Sequence, residues 1–105
     1  MLKDRLQKLN WGFCLEIPSG YEAQIRPRSG LSSKGVSTIL GTIDSNYRGE
    51  VCALIHNNSS DDFKIKFGDR ICQMKIERVD PIVFEQVEEL SKTNRNDKGF
   101  GSSGV

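Results

Sequence analysis

The sequence predicts an all-β fold, a sandwich or barrel of short strands, on two observations. Apolar and polar residues alternate with a period of two along much of the chain, and turn residues break that alternation at regular intervals. The 105 residues fit one domain. Only 36% of them are hydrophobic, a thin core that predicts burial shared between subunits of an oligomer.

Each element has its own warrant. In the first ten residues Leu2, Leu6 and Leu9 have the spacing of a short, marginal helix. Phe13, Leu15 and Ile17 then alternate with Cys14 and Glu16. After Pro18-Ser19-Gly20, Tyr21, Ala23 and Ile25 alternate with Glu22, Gln24 and Arg26, so the two runs predict a hairpin with one buried face. Residues 51–55 are continuously apolar, as in a strand covered on both faces. The run Asn57-Asn58-Ser59-Ser60-Asp61-Asp62 is turn chemistry. Phe63, Ile65 and Phe67 alternate with Lys64 and Lys66, Gly68-Asp69 turns the chain, and residues 70–77 predict another strand. Pro81 precedes a last one over residues 82–87, with the charges of residues 85–89 on a solvated face. From Ser91 the text SKTNRNDKGFGSSGV has no periodicity and predicts a mobile tail. The expected division is a β-domain over residues 1–91, with 1–11 atypical, and a flexible C-terminal segment over 92–105.

Charge and composition exclude several functions. Fifteen basic against fourteen acidic side chains leave a net charge of +1, which argues against nucleic-acid binding. No apolar run approaches the roughly 18 residues of a membrane span, and the N-terminus has no signal-peptide pattern. Cys14, Cys52 and Cys72 are odd in number and far apart, and no CxxC occurs. They predict reduced, mostly buried thiols in a cytoplasmic protein. His56 lacks neighbouring ligands and reads as a core or interface histidine; Trp11 and Tyr21 read as packing residues.

Four blocks carry chemistry. Pro27-Arg28-Ser29-Gly30-Leu31 places a guanidinium, a hydroxyl and a glycine at a strand end, a combination that suits an anion. Alone, it is more often a turn with a solvated arginine. Asp44-Ser45-Asn46, between apolar flanks and followed by Tyr47, reads as a hairpin tip whose carboxylate can orient a water and whose backbone can meet a planar base; alone, it is more often a polar β-turn with a structural tyrosine. In Gly68-Asp69-Arg70-Ile71-Cys72-Gln73, a glutamine inside an apolar strand needs a hydrogen-bond partner if buried and otherwise faces solvent. Arg95, followed by Gly99-Phe100-Gly101-Ser102-Ser103-Gly104, joins a cation to a glycine-rich, hydroxyl-bearing tail with one aromatic, without the lysine and helix of a P-loop.

In order and spacing, PRSGL, GTIDSNYRGEV, GDRICQ and GFGSSG resemble the second to fifth motifs of the trimeric dUTP pyrophosphatase (dUTPase) family, phage or bacterial in type. The likeness covers roughly residues 12–104. It implies a distorted jelly-roll β-barrel or sandwich, and hydrolysis of dUTP to dUMP and pyrophosphate at sites shared within a homotrimer. It also implies Mg²⁺ held mainly by the substrate triphosphate. By position, Arg28, Ser29 and Gly30 would meet the triphosphate, and Asp44 would activate the attacking water. The turn of Ser45, Asn46 and Tyr47 would read uracil, with Tyr47 under the deoxyribose. Gln73 would hold an α-phosphate oxygen and Arg95 the γ-phosphate. Phe100 would stack on uracil, and Gly101, Ser102 and Ser103 would close on the phosphates.

The sequence departs from that pattern in three places. The first motif, an Ala-Gly-x-Asp-Leu-like segment, is absent, which reads as an N-terminally shortened member. The segment between Leu31 and Gly41 is short. Asn96 and Lys98 stand where the family usually has glycine. A second reading therefore stays open: a dUTPase-like scaffold that binds nucleotide or a protein without turnover. The related dCTP deaminase shares the fold, but Tyr47-Arg48-Gly49 and the GFGSSG tail speak against it.

Overall fold

The computed structural model describes residues 5–102 and Gly104; Leu2 and Ser103 lie outside the described residues. Within them the chain forms six strands and one short helix: β1 (Arg5–Cys14), β2 (Tyr21–Pro27), α1 (Ser29–Ser32), β3 (Val36–Thr38), β4 (Gly41–Ile43), β5 (Glu50–Asn57) and β6 (Cys72–Arg78). The strands make two three-stranded antiparallel sheets, ordered β1-β5-β3 and β4-β2-β6. The fold is all-β as expected, but the two sheets do not close into a barrel.

The period-two pattern decides which side chains meet. Ala23 and Ile25 of β2, Val36 of β3, Ile43 of β4 and Val51, Ala53 and Ile55 of β5 form one buried cluster with Ile17. The two buried polar residues, Thr38 and Asn57, both have partners. Thr38 Oγ1 donates to the Ile71 carbonyl at 3.2 Å, tying β3 to the approach of β6. Asn57 Nδ2 donates to the Asp61 carbonyl at 3.0 Å, and its Oδ1 accepts the Ser59 N–H at 3.1 Å and hydroxyl at 2.6 Å. The polar run after β5 thus curls back on the strand it ends, as its turn chemistry predicts. On the outer face of the second sheet, Glu77 pairs with Lys75 at 3.0 Å and Arg26 at 3.4 Å.

Several expectations are corrected, for one physical reason: alternation reports which way a side chain faces, not which strand lies beside it. Over residues 5–10, where part of a helix was expected, the chain instead starts β1, with Leu6 opposite His56 and Leu9 opposite Ala53. Gly12, at φ +80°, sits where the β1–β5 register breaks between Asn10 and Cys14. The runs around residues 13–17 and 21–26 do not pair as a hairpin. The turn exists, with Tyr21 N–H donating to the Pro18 carbonyl at 3.2 Å, but β1 pairs with β5 and β2 with β4 and β6. In β5 the apolar run is covered on one face only, since Cys52 is half-buried and Leu54 exposed. The alternating run over residues 63–67 and the run over 82–87 join neither sheet. Ile82, Val83 and Phe84 are exposed, because they pair with no strand of this chain. Tyr21 and Cys14 are also exposed rather than packed, whereas Trp11 packs against the core and lies 5.9 Å, centroid to centroid, from Phe13.

The chain exposes 8825 Å², roughly half as much again as the ~5,900 Å² of a compact monomer of this length. Its radius of gyration is 18.8 Å, where about 13 Å is usual. A single copy does not bury what its sequence provides.

Candidate functional site

The first concavity forms where β2 ends. Pro27 lies opposite Cys72, and Arg26 opposite Gln73, in the β2–β6 ladder. Gln73 Nε2 donates across that ladder to the Pro27 carbonyl at 2.9 Å, so the glutamine is both exposed and bonded. This bond fixes the point at which the chain leaves the sheet. Beyond it the backbone tightens into α1, with the Arg28 and Ser29 carbonyls accepting the Ser32 and Ser33 N–H groups at 2.9 Å each. Ser33 Oγ donates to the Gly30 carbonyl at 2.8 Å. The result is a concavity of about 400 Å³ that brings together Arg28, Ser29, Gly30 and Gln73, four of the residues expected to form a site, with Leu31, Lys34 and Arg70. Sequence reasoning gave no role to Lys34, which follows the first block closely, or to Arg70, which lies inside the third, although their charge was legible.

The second region is the turn between β4 and β5. Tyr47 N–H donates to the Asp44 carbonyl at 3.1 Å, closing a turn with Ser45 and Asn46 at its tip. The hairpin expected here is an arch, since β4 and β5 belong to different sheets. Two side chains hold the arch. The Tyr47 hydroxyl donates to the Glu50 carbonyl at 3.0 Å. Arg48 Nη1 donates to the Ser45 carbonyl at 2.6 Å and the Tyr47 carbonyl at 3.2 Å, while Nη2 lies 3.6 Å from Glu16. Gly49 makes room for the tyrosine: a β-carbon there would overlap the Tyr47 ring and hydroxyl. Asp44 and Tyr47 line a cavity of about 270 Å³ whose other walls include Ile25, Ile39, Leu40 and Val51. Asp44 and Ser45 also border a concavity of about 370 Å³ with Tyr21, Val79 and Pro81. A water-accessible carboxylate beside an apolar slot can orient a water next to a planar ring.

The described residues of the tail line none of these concavities. Arg95 Nε donates to the Lys98 carbonyl at 2.7 Å, and Thr93 and Asn96 exchange two hydrogen bonds of 2.9 Å each. Asn96 adopts φ 47°, the left-handed conformation that glycine enters freely and asparagine tolerates. Phe100, also at positive φ, is fully exposed, as are Gly101 and Ser102. Burial raises the Cys72 thiol above its ordinary value, opposed by a Thr38 hydrogen bond and the Arg28 charge. Among the described residues no three His, Cys, Asp or Glu side chains gather as a metal cage, and no helix is long and apolar enough to cross a membrane.

Comparison with known proteins identifies the family. The dUTPase family model matches residues 4–104, starting closer to the N-terminus than the motifs alone suggest. The chain is 52% identical over 96 residues to the deoxyuridine 5'-triphosphate nucleotidohydrolase of Finegoldia magna, covering 89% of this chain and 67% of that protein. It is 50% identical over 97 residues to the same enzyme of Helicobacter hepaticus, covering 90% and 61%. The chain thus spans about two-thirds, or slightly less, of the length of these curated relatives. Among solved structures, a mutant dUTPase of Staphylococcus bacteriophage 80alpha with dUpNHpp superposes with a TM-score of 0.68 at 27% identity, covering 100% of this chain and 84% of that one. The native dUTPase of EIAV gives 0.77 at 16% identity over 88% and 77%, a likeness of fold. With nearly its whole length matched and half its residues shared with such enzymes, the chain belongs to the dUTPase family.

Proposed function

We propose that this chain is a dUTP diphosphatase that hydrolyses dUTP to dUMP and pyrophosphate and works as a cytoplasmic homotrimer. The observation that carries the reading is the division of labour between two concavities with no residue in common. One is apolar with Asp44 and Tyr47 at its rim; the other is cationic with Arg28, Ser29, Gly30 and Gln73. A nucleoside triphosphate needs both, so a complete site needs surfaces from more than one copy.

In this reading uracil lies against the backbone of Ser45, Asn46 and Tyr47, and the Tyr47 ring lies under the deoxyribose, where a 2'-hydroxyl has no room. The Asp44 carboxylate accepts a proton from a water whose oxygen attacks the α-phosphorus. The bond from that phosphorus to the bridging oxygen of the β-phosphate breaks, and pyrophosphate leaves. Arg28, Ser29 and the Gly30 backbone hold the phosphates, with Gln73 on an α-phosphate oxygen. Residues 92–105 act as a lid: Arg95 binds the γ-phosphate, Phe100 stacks on the base, and Gly101, Ser102 and Ser103 close over the phosphates. With no cage of side chains among the described residues, the donor set suits Mg²⁺ carried by the triphosphate, where it would lower the charge the protein must neutralise. The two sheets are read as facing halves of the family's distorted jelly roll, their open edges covered by neighbouring subunits.

The test is pyrophosphate release from dUTP, dTTP, dCTP and UTP with Mg²⁺, alongside light scattering for the oligomer. Turnover confined to dUTP by a trimer is expected. Asp44→Asn abolishes turnover and leaves dUTP binding within about threefold. Saturable binding without turnover in the unaltered chain overturns the enzyme reading in favour of a scaffold.

A further inference from the structure

Arg28 and Gln73 share their concavity with two cations to which the motifs assign no task. Lys34 follows α1, Arg70 precedes β6, and both line the same 400 Å³ space as Arg28. No acidic residue lines it. Among the described residues, neither Lys34 nor Arg70 takes part in an ion pair or a side-chain hydrogen bond. Asp69, the carboxylate next to Arg70 in sequence, lines an adjoining concavity with Arg28 and Arg70 but pairs with neither; its Oδ2 accepts the Lys66 N–H at 2.8 Å. Three cations facing one concavity with no carboxylate in its lining repel one another, and a polyanion seated among them reverses that cost.

We propose that Lys34 and Arg70 bind the substrate triphosphate, completing with Arg28 a three-cation cradle; this inference rests on the dUTP reading above. The two bring different chemistry. Arg70 offers a planar fork for two oxygens of one phosphate, while Lys34 brings a compact charge on a flexible stem that can follow the chain of phosphates. The cradle also sorts substrate from product. A triphosphate spans all three cations, whereas dUMP, with one phosphate, engages only part of the cradle and leaves readily.

The experiment compares the full chain with Lys34→Gln and Arg70→Gln, and with the charge-keeping Lys34→Arg and Arg70→Lys. Calorimetry measures binding of inorganic triphosphate and dUMP, and steady-state kinetics give KM and kcat for dUTP. Each neutral variant is expected to raise KM for dUTP and weaken inorganic triphosphate about tenfold, and to change dUMP affinity by less than about threefold. The charge-keeping variants recover most of the loss, and raising salt narrows the gap between the full chain and the neutral variants. Unchanged melting temperatures show that the fold is intact. Neutral variants with wild-type KM and wild-type triphosphate affinity overturn the cradle, even where the chain hydrolyses dUTP normally. Triphosphate binding that depends on Lys34 and Arg70 in a chain without dUTP turnover supports the cradle and removes the dUTP reading instead.

Discussion

Gly49→Ala separates the packing of the arch from its chemistry. The added β-carbon falls on the Tyr47 hydroxyl and ring, so the ring must swing away. Its hydroxyl then loses the 3.0 Å bond to the Glu50 carbonyl, worth about 1 kcal/mol at an exposed site. Gly49 does not lie at positive φ, so alanine fits its backbone and restricts the unfolded chain, returning about 0.4–1 kcal/mol. The displaced group is the far end of a half-exposed side chain, which has room to move. These terms nearly cancel, and the melting temperature is expected to shift by no more than about 5 °C. Function responds more strongly. With the ring gone from under the sugar, the ratio of kcat/KM for dUTP to that for UTP is expected to fall at least about tenfold. Tyr47→Phe provides the contrast, because it keeps the ring and removes only the hydroxyl; it should lose about 1 kcal/mol of stability and keep the selectivity. Melting curves with a pyrophosphate-release assay on both nucleotides read both effects. A Gly49→Ala protein with wild-type selectivity refutes the role given to the ring, and one that fails to fold refutes the claim that the ring has room to move.

Three further outcomes follow from the same geometry. Arg48→Ala removes both hydrogen bonds to the turn carbonyls and should lower kcat/KM for dUTP about tenfold, with Arg48→Lys partly restoring it; equal losses in the two variants would show that these bonds do not position the turn. Deleting residues 95–105 should leave the oligomer unchanged by light scattering while lowering kcat/KM for dUTP more than about tenfold, because Arg95 and Asn96 bond only within the tail; full activity in the shortened chain contradicts the lid. Burial lifts the Cys72 thiol, so the folded chain keeps its proton to higher pH than the unfolded chain. That contribution is complete below the unfolded value and fades as pH rises through the folded one. The urea midpoint should therefore drop more between about pH 8 and pH 10 in the unaltered chain than in Cys72→Ala, and parallel curves would deny the coupling.

What the sequence disclosed was facing and local turns; what it hid was pairing. Ala23, Ile25, Val51 and Ile55 are buried because their neighbours are polar or face the other way, and the alternation reveals this directly. The turns at Pro18-Ser19-Gly20, Asp44-Ser45-Asn46 and Gly68-Asp69 were equally legible, since each rests on residues that form turns by themselves. Nothing local states that β1 runs beside β5, 36 residues or more away, or that β4 and β5 separate into different sheets. The misread hairpins are both of that kind. The candidate site divides along the same line. Arg28, Ser29, Gly30 and Gln73 were readable from motif text, and the β2–β6 register brings them together. Lys34 and Arg70 gain their meaning only when the ends of those strands meet.

The thin core and the divided site have one origin. In the β2–β6 ladder Met74 lies opposite Ile25 and Ile76 opposite Ala23, so all four side chains point to the core side of the sheet. Ile25 and Ala23 are buried, yet Met74 is 40% exposed and Ile76 52%. The core stops halfway across the sheet, at an edge strand with no neighbour. Farther along, Ile82, Val83 and Phe84 extend beyond Pro81 as an apolar run with nothing to cover. An uncovered sheet face and an unplaced apolar segment are the two halves that a contact between copies would need. Pro81 itself borders the concavity that holds Asp44 and Ser45, so the segment after β6 passes beside the arch. Assembly through these surfaces would bury the open edge and bring other subunits' groups to the arch in the same step. Stability and catalysis are then linked: a charge such as Ile76→Asp should dissociate the oligomer and abolish dUTP turnover together, although Ile76 lines neither the arch cavity nor the cationic concavity. Monomers that keep full turnover would break that link.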